Sequence, residues 1–266
     1  MNKSIRIVTA LLGVCVGAAG IGQAQTPAPN GPPPTARSQA PIDVTGNWVS
    51  LVTRDWRYRM VVPRKGEYQG LPLSLAGKQY ADAWNAAQDE AAGRQCAPYG
   101  GGVVMMLPTR LRISWQDDQT LQVQTDAGMQ TRTLRFQSTP APADTPRSWQ
   151  GYSAAAWVPF REARGGFGGG PPAAAAPKFG SLKITTTHLL AGLIRKNGVA
   201  YSDQSSVTEY WEVQTDPVTN TRYLIVLTAL NDPLYLTRPY YTTATFKQEP
   251  DGSKWDPTPC TLTSTP

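Results

Sequence analysis

The chain has one histidine and three cysteines among its 266 residues. A single histidine excludes a His-rich zinc or copper centre, and the few cysteines leave no metal-ligand set to assemble. A serine–histidine–aspartate triad also finds no support, because there is no Gly-x-Ser-x-Gly elbow and the only base, His188, sits in a strand-like run. No cofactor motif is present. The tract Arg164-Gly-Gly-Phe-Gly-Gly-Gly-Pro-Pro lacks the Lys-Ser/Thr ending of a phosphate loop and does not open a helix. Apolar runs are short, and none reaches the roughly 20 residues of a membrane-spanning helix. Basic residues, 25 against 19 acidic, alternate with other types instead of clustering, so the footprint of a nucleic-acid binder is missing.

What is present begins with an export signal. Lys3 and Arg6 give a positive start, Ile7 to Val16 is apolar, and small residues lead to Gly22-Gln23-Ala24. Cleavage after Ala24 takes 24 of the 266 residues and leaves 242, with 23 basic groups once Lys3 and Arg6 are removed. Leu12-Gly13-Val14-Cys15 offers a lipid-anchored alternative at Cys15, although Val14 stands where a lipobox wants a small residue. Periplasmic or secreted export is the expected localisation. Cys96 and Cys260 then remain, and an even count in an oxidising compartment points to one disulfide, with two buried free thiols as the alternative.

Composition divides the rest. Residues 25–41 are almost all Pro, Ala, Gly, Thr and Gln, too poor in apolar surface to offset ordering entropy, and read as a disordered leader. Residues 42–266 read as one domain, with residues 163–178 as a long Gly/Pro/Ala loop. Period-two alternation marks strands: Leu111, Ile113 and Trp115 oppose Arg110, Arg112 and Ser114, and Trp56, Tyr58, Met60 and Val62 oppose Arg57 and Arg59. Similar runs occupy residues 120–125, 131–136, 149–157, 181–189, 206–213, 222–229 and 241–247. Between Ser74 and Ala92 the spacing of Ala76, Tyr80, Trp84, Ala87 and Ala91 is helical, with Ser74 as N-cap and Gly93 as stop. The pattern predicts a mainly β domain, an antiparallel barrel or sandwich of eight to ten strands with one inserted helix.

Gly46-Asn47-Trp48, at the head of the first strand, resembles the opening Gly-x-Trp of lipocalins and related calycin barrels. The resemblance implies a Trp closing one end of the barrel beneath an Arg from a late strand, for which Arg238 is the candidate. The Thr-Asp-Tyr motif of those barrels is absent. Thr45-Gly-Asn-Trp-Val-Ser50, Trp115-Gln-Asp-Asp118 and Glu249-Pro-Asp-Gly-Ser-Lys-Trp255 are also similar to exported proteins of unassigned function.

Two sets of residues suggest a site. His188 continues the face of Leu182, Ile184 and Thr186, and Glu209 shares a face with Val207, Trp211 and Val213. Both side chains are expected inside, where a carboxylate beside an imidazole makes a proton-transfer pair. A one-residue register shift would place Glu209 in solvent instead. The second set is aromatic: eight Trp and eleven Tyr against five Phe favour rings with a polar handle, which line pockets and also fill cores. Trp115, Trp149, Trp157, Tyr210, Trp211 and Tyr223 are the candidate wall. Arg110, Arg112, Arg132 and Arg135 read as a solvated outer face.

Three functions follow. The first is an exported module binding a small hydrophobic or aromatic ligand in a barrel cavity. The second is a cofactor-independent lyase, isomerase or hydratase using His188 and Glu209, with Tyr210, Tyr201 or Arg195 steadying negative charge. The third is an envelope interaction protein without a ligand. Neither a metal nor a cofactor is called for, and oligomeric state is left open.

Overall fold

A computed structural model describes residues 33–137, 140–160 and 179–263. The expected signal, residues 25–32 of the expected leader and the tract at 163–178 lie outside the described residues. The described elements are β1 (Gly46–Leu51), α1 (Trp56–Arg59), α2 (Leu75–Ala83), α3 (Ala86–Ala91), β2 (Arg110–Asp117), β3 (Thr120–Thr125), β4 (Thr131–Arg135), β5 (Tyr152–Pro159), β6 (Gly180–Thr187), β7 (Gly192–Leu193), β8 (Ala200–Tyr201), β9 (Ser206–Thr215), β10 (Arg222–Asn231) and β11 (Tyr240–Glu249).

Nine strands close a barrel in the order β1-β11-β10-β9-β6-β5-β4-β3-β2, while β7 and β8 form a small hairpin apart from it. The expected antiparallel pairing holds except at one seam, where β4 and β5 run parallel. Parity requires such a seam. One circuit of a closed ring must restore the starting direction, so antiparallel pairings come in even number and a nine-strand ring needs at least one parallel pair. The seam is short, pairing only Leu134 with Ser153 and Arg135 with Ala154.

Alternation fills the interior. Along β3 every second residue is buried, and Trp48, Leu121, Leu134, Leu182, Trp211 and Phe246 meet inside at 0 % exposure. Each such side chain contributes about 1.5–3 kcal/mol by leaving water. The barrel is therefore packed through its middle.

Its two ends differ. At the end where β1 starts, the chain already packs from Ala36, which is 7 % exposed and whose carbonyl accepts from Trp157 Nε1 at 2.7 Å. Arg37 N also donates to the Asp118 carbonyl (3.1 Å), so ordered packing begins before Ile42. Trp48 Nε1 donates to the Val44 carbonyl (3.0 Å) there, and the guanidinium over its ring, 5.6 Å from the centroid, belongs to Arg222. Arg238, the expected partner, is exposed, because its segment lies beyond β10 at the opposite end.

That opposite end is stoppered by segments outside the ring. Ser74 caps α2 as expected, its Oγ accepting from Gly77 N at 3.0 Å, and Gly93 adopts φ +70° after α3. The expected single helix breaks at Trp84 because Asn85 Oδ1 accepts from Ala87 N and Gln88 N and starts a new one. Residues 100–106 form the plug. Gly101 N donates to the Trp149 carbonyl (2.8 Å), and a Cβ on Gly100 would stand 2.2 Å from Tyr201 Oη, so only glycine permits this approach. Cys96 and Cys260 are bonded, across a sequence separation of 164.

The alternation at residues 56–62 does not form a strand. Asp55 takes left-handed backbone (φ 53°), α1 follows, and Trp56 is 62 % exposed. Arg59 folds the segment back over the plug by donating to the Met106 carbonyl and, at 3.1 Å, to Ser50 Oγ.

Candidate functional site

β6 carries Leu182, Ile184 and Thr186 inward but ends at Thr187, and His188 turns to φ 56°. That turn interrupts the expected alternation. His188 is half-buried, its Nδ1 lies 2.9 Å from Thr187 Oγ1, and its carbonyl accepts from Ser148 N at 3.1 Å. Glu209 does face the interior, at 1 % exposure, but the group it meets is Arg132. The two expected partners are thus not brought together.

Arg132 is the larger surprise. Assigned to the outer face, it is 2 % exposed and inside the barrel. Its Nη2 donates to Glu209 Oε2 and, at 2.8 Å, to Thr186 Oγ1, while its Nε donates to Ser153 Oγ at 3.2 Å. Leu134, two residues on, shares its face and gave the signal for an inward position; the charge argued the other way. Arg110, Arg112 and Arg135 do lie outward, where Arg110 pairs with Glu249 at 3.0 Å and Arg112 stacks 4.2 Å from the Trp255 centroid. Arg132 Nη1, Glu209 Oε1 and Trp211 Nε1 are buried with no hydrogen-bonding partner among the described residues. Glu209 and Thr228 face the plug residues Gly101, Gly102, Val103, Met105 and Met106.

The six candidate wall aromatics do not share a pocket. Trp115 and Trp157 form a cluster with Phe136 at the leader end, with centroids 5.2–6.4 Å apart. Trp211 is core. Trp149 lies at the plug end under the Arg94 guanidinium, 5.5 Å from its centroid. Tyr210 and Tyr223 are on the outer surface of β9 and β10, Tyr210 facing Lys183 and Tyr223 opposite Lys247.

A shallow cleft opens at the plug end, spanning about 670 Å³ when the open solvent at its mouth is counted. Four separate segments build it: residues 55–63, residues 98–108, the tip of the β7–β8 hairpin, and the start of β11. Val61, Val62, Val103, Met106, Leu107 and Ile194 give an apolar wall, Tyr58 and Tyr240 add rings, and Arg59, Arg195, Lys196 and Asp55 add charge.

The hairpin tip explains how Arg195 and Lys196 come to be buried at 7 % and 9 % exposure. Asn197 Nδ2 donates to the Arg64 and Glu67 carbonyls at 3.0 and 3.1 Å, which clamps the tip beneath residues 64–67. Arg195 Nη1 donates to the Gln69 carbonyl (3.0 Å), and its guanidinium lies 3.9 Å from the Tyr58 centroid. Lys196 turns its ammonium to Tyr99 Oη at 3.0 Å. Burial lowers the Lys196 pKa to about 8. Burial likewise holds the Arg59 guanidinium below its ordinary value, although Asp55 and Tyr240 favour its charge, and it pushes the Tyr240 phenol up against the opposing pull of Arg195.

Of these groups only Arg195 was singled out beforehand. The signal for its neighbour was available in Arg195-Lys196-Asn197-Gly198, a turn between apolar residues at Ile194 and Val199, where charges at the tip meet whatever the hairpin docks against. Arg59 and Tyr58 were hidden by the strand reading of their segment. Among the described residues no group of His, Cys, Asp or Glu is arranged to hold a metal ion, and no helix is long and apolar enough to cross a membrane. Compared with known proteins, the chain matches no family model, no curated protein and no solved structure.

Proposed function

We propose that this is an exported, lipocalin-like binding protein that takes up a small hydrophobic or aromatic molecule in the plug-end cleft. The observation that carries the reading is the cleft itself, an opening walled by Val61, Val62, Val103 and Met106 and flanked by two tyrosines, a lining suited to a small organic ligand. The core of the ring is filled by its own side chains, which moves the expected site from the barrel interior to the mouth. Gly46-Asn47-Trp48 under Arg222 supports the likeness to calycin barrels, and the signal-like sequence of residues 1–24 with the Cys96–Cys260 bridge supports export.

The test is a fluorescence titration of the mature protein with phenylnaphthylamine, a neutral apolar dye, repeated on Ile194→Trp. The larger side chain fills the cleft, and affinity should fall by about tenfold or more, the equivalent of 1.4 kcal/mol. Undiminished binding in a folded variant would place the ligand elsewhere. Chemical analysis of recovered compounds separates carriage, which leaves them unchanged, from turnover.

A further inference from the structure

Resting on the cleft reading above, we propose that the cleft selects ligands bearing one anionic head, a carboxylate or sulfonate, and that Arg195 with Arg59 supplies the recognition. The argument starts from how this fold treats buried guanidinium groups. Arg132, inside the barrel, is matched by the Glu209 carboxylate. Arg195, at 7 % exposure, has neutral partners instead: the Gln69 carbonyl, the Tyr58 ring and the Tyr240 hydroxyl. Among the described residues no carboxylate lies within ion-pair distance of it.

Arg59 is treated in the same way. Its donors go to the Met106 carbonyl and Ser50 Oγ, and Asp55, the only acid bordering the cleft, influences it without forming an ion pair among the described residues. Two guanidinium groups thus share the cleft with a single carboxylate, Asp55. A buried charge is costly unless paired, so an anion entering this cleft relieves a deficit that a neutral molecule of the same shape leaves in place. Guanidinium has five N–H donors in a planar fork that matches a carboxylate or sulfonate. The apolar wall of Val61, Val62, Val103 and Met106 lies beside these cations and takes the remainder of the ligand.

The measurement compares two dyes of one ring skeleton on the full mature chain, anilinonaphthalene sulfonate and neutral phenylnaphthylamine, each displaced by dodecanoate and by dodecanol. Charge-assisted hydrogen bonds contribute about 1.5–3 kcal/mol, so the anionic member of each pair should bind roughly 10- to 100-fold more tightly. Arg195→Met should reduce that preference by about tenfold, read as the ratio of the two dyes' affinities on one protein, whereas Arg195→Lys, which keeps the charge and loses the fork, should fall between. Equal affinity of the unsubstituted protein for the two dyes overturns the inference and leaves the cleft reading intact. So does a preference for the anion that Arg195→Met leaves undiminished in a folded protein. Failure of both dyes to bind overturns the cleft reading itself. The comparison on the unsubstituted protein needs no variant to fold.

Discussion

Replacing Arg132 with Met removes the cation from a carboxylate that is 1 % exposed. Glu209 would then be a buried carboxyl without its cation, and Thr186 and Ser153 would lose their shared donor. Breaking a buried pair on one side costs about 3–5 kcal/mol. For a domain of this size that lowers the midpoint of thermal unfolding by roughly 10 °C. Glu209→Leu alone should cost a similar amount by stranding Arg132. The double variant Arg132→Met, Glu209→Leu replaces both charges with apolar side chains and should recover most of the loss, since apolar substitutes for a buried pair are often neutral or stabilising. The assay is urea unfolding of the disulfide-intact protein followed by tryptophan emission, with the coupling taken from the four-protein cycle. Losses that simply add in the double variant, or an Arg132→Met variant within about 1 kcal/mol of the unsubstituted protein, would refute the assignment of Glu209 as a structural partner.

Three further outcomes follow from the same geometry. Gly128 has φ +73°, and a Cβ there would meet Tyr99 Cδ1 at 2.3 Å, so Gly128→Ala should destabilise by about 1–3 kcal/mol in chemical denaturation. Lys196 binds its proton less tightly folded than unfolded, so the unfolded chain holds more protons between about pH 8 and the ordinary lysine range near 10.5. Stability relative to Lys196→Met should therefore rise with pH across that window, and a flat difference between pH 7 and 10 would contradict the burial of the ammonium. Joining residues 164 apart in sequence restricts the unfolded chain by about 5 kcal/mol in the loop-entropy account. Cys96→Ser with Cys260→Ser should lower the unfolding free energy by several kcal/mol, read by the same urea titration.

Strand positions were the most legible part of the chain. β3 spans Thr120–Thr125 as the alternation indicated, and seven other runs overlap the observed strands, because a half-buried strand must alternate whichever neighbour it finds. The order of strands around the ring was not legible, nor was the β4–β5 parallel seam, since both depend on pairings remote in sequence. Residues 56–62 misled for a physical reason. Tyr58 and Val62 are partly buried, but in the cleft, where Tyr58 lies under the Arg195 guanidinium, and not on a strand of the ring. For His188 the error was a single residue of strand length, enough to reverse the direction of a side chain. For Arg132 the periodicity was right and the expectation that a charge faces water was what failed.

The pieces missed by local reading are the pieces that build the cleft. A ring that fills its own interior leaves binding to whatever is attached at its ends, and here the attachments converge from four distant stretches of sequence. The disulfide stands at their junction. Cys96 immediately precedes Ala97 and the cleft residue Pro98, while Leu262, two residues past Cys260, packs at 1 % exposure with Ala97, Leu193 and Ala200. Leu193 and Ala200 belong to the hairpin whose tip carries Arg195 and Lys196. The C-terminal segment therefore braces both the wall of the cleft and the hairpin that charges it. Loss of the bridge should act on the geometry of the cleft more directly than on the ring, whose nine strand pairings contain neither cysteine.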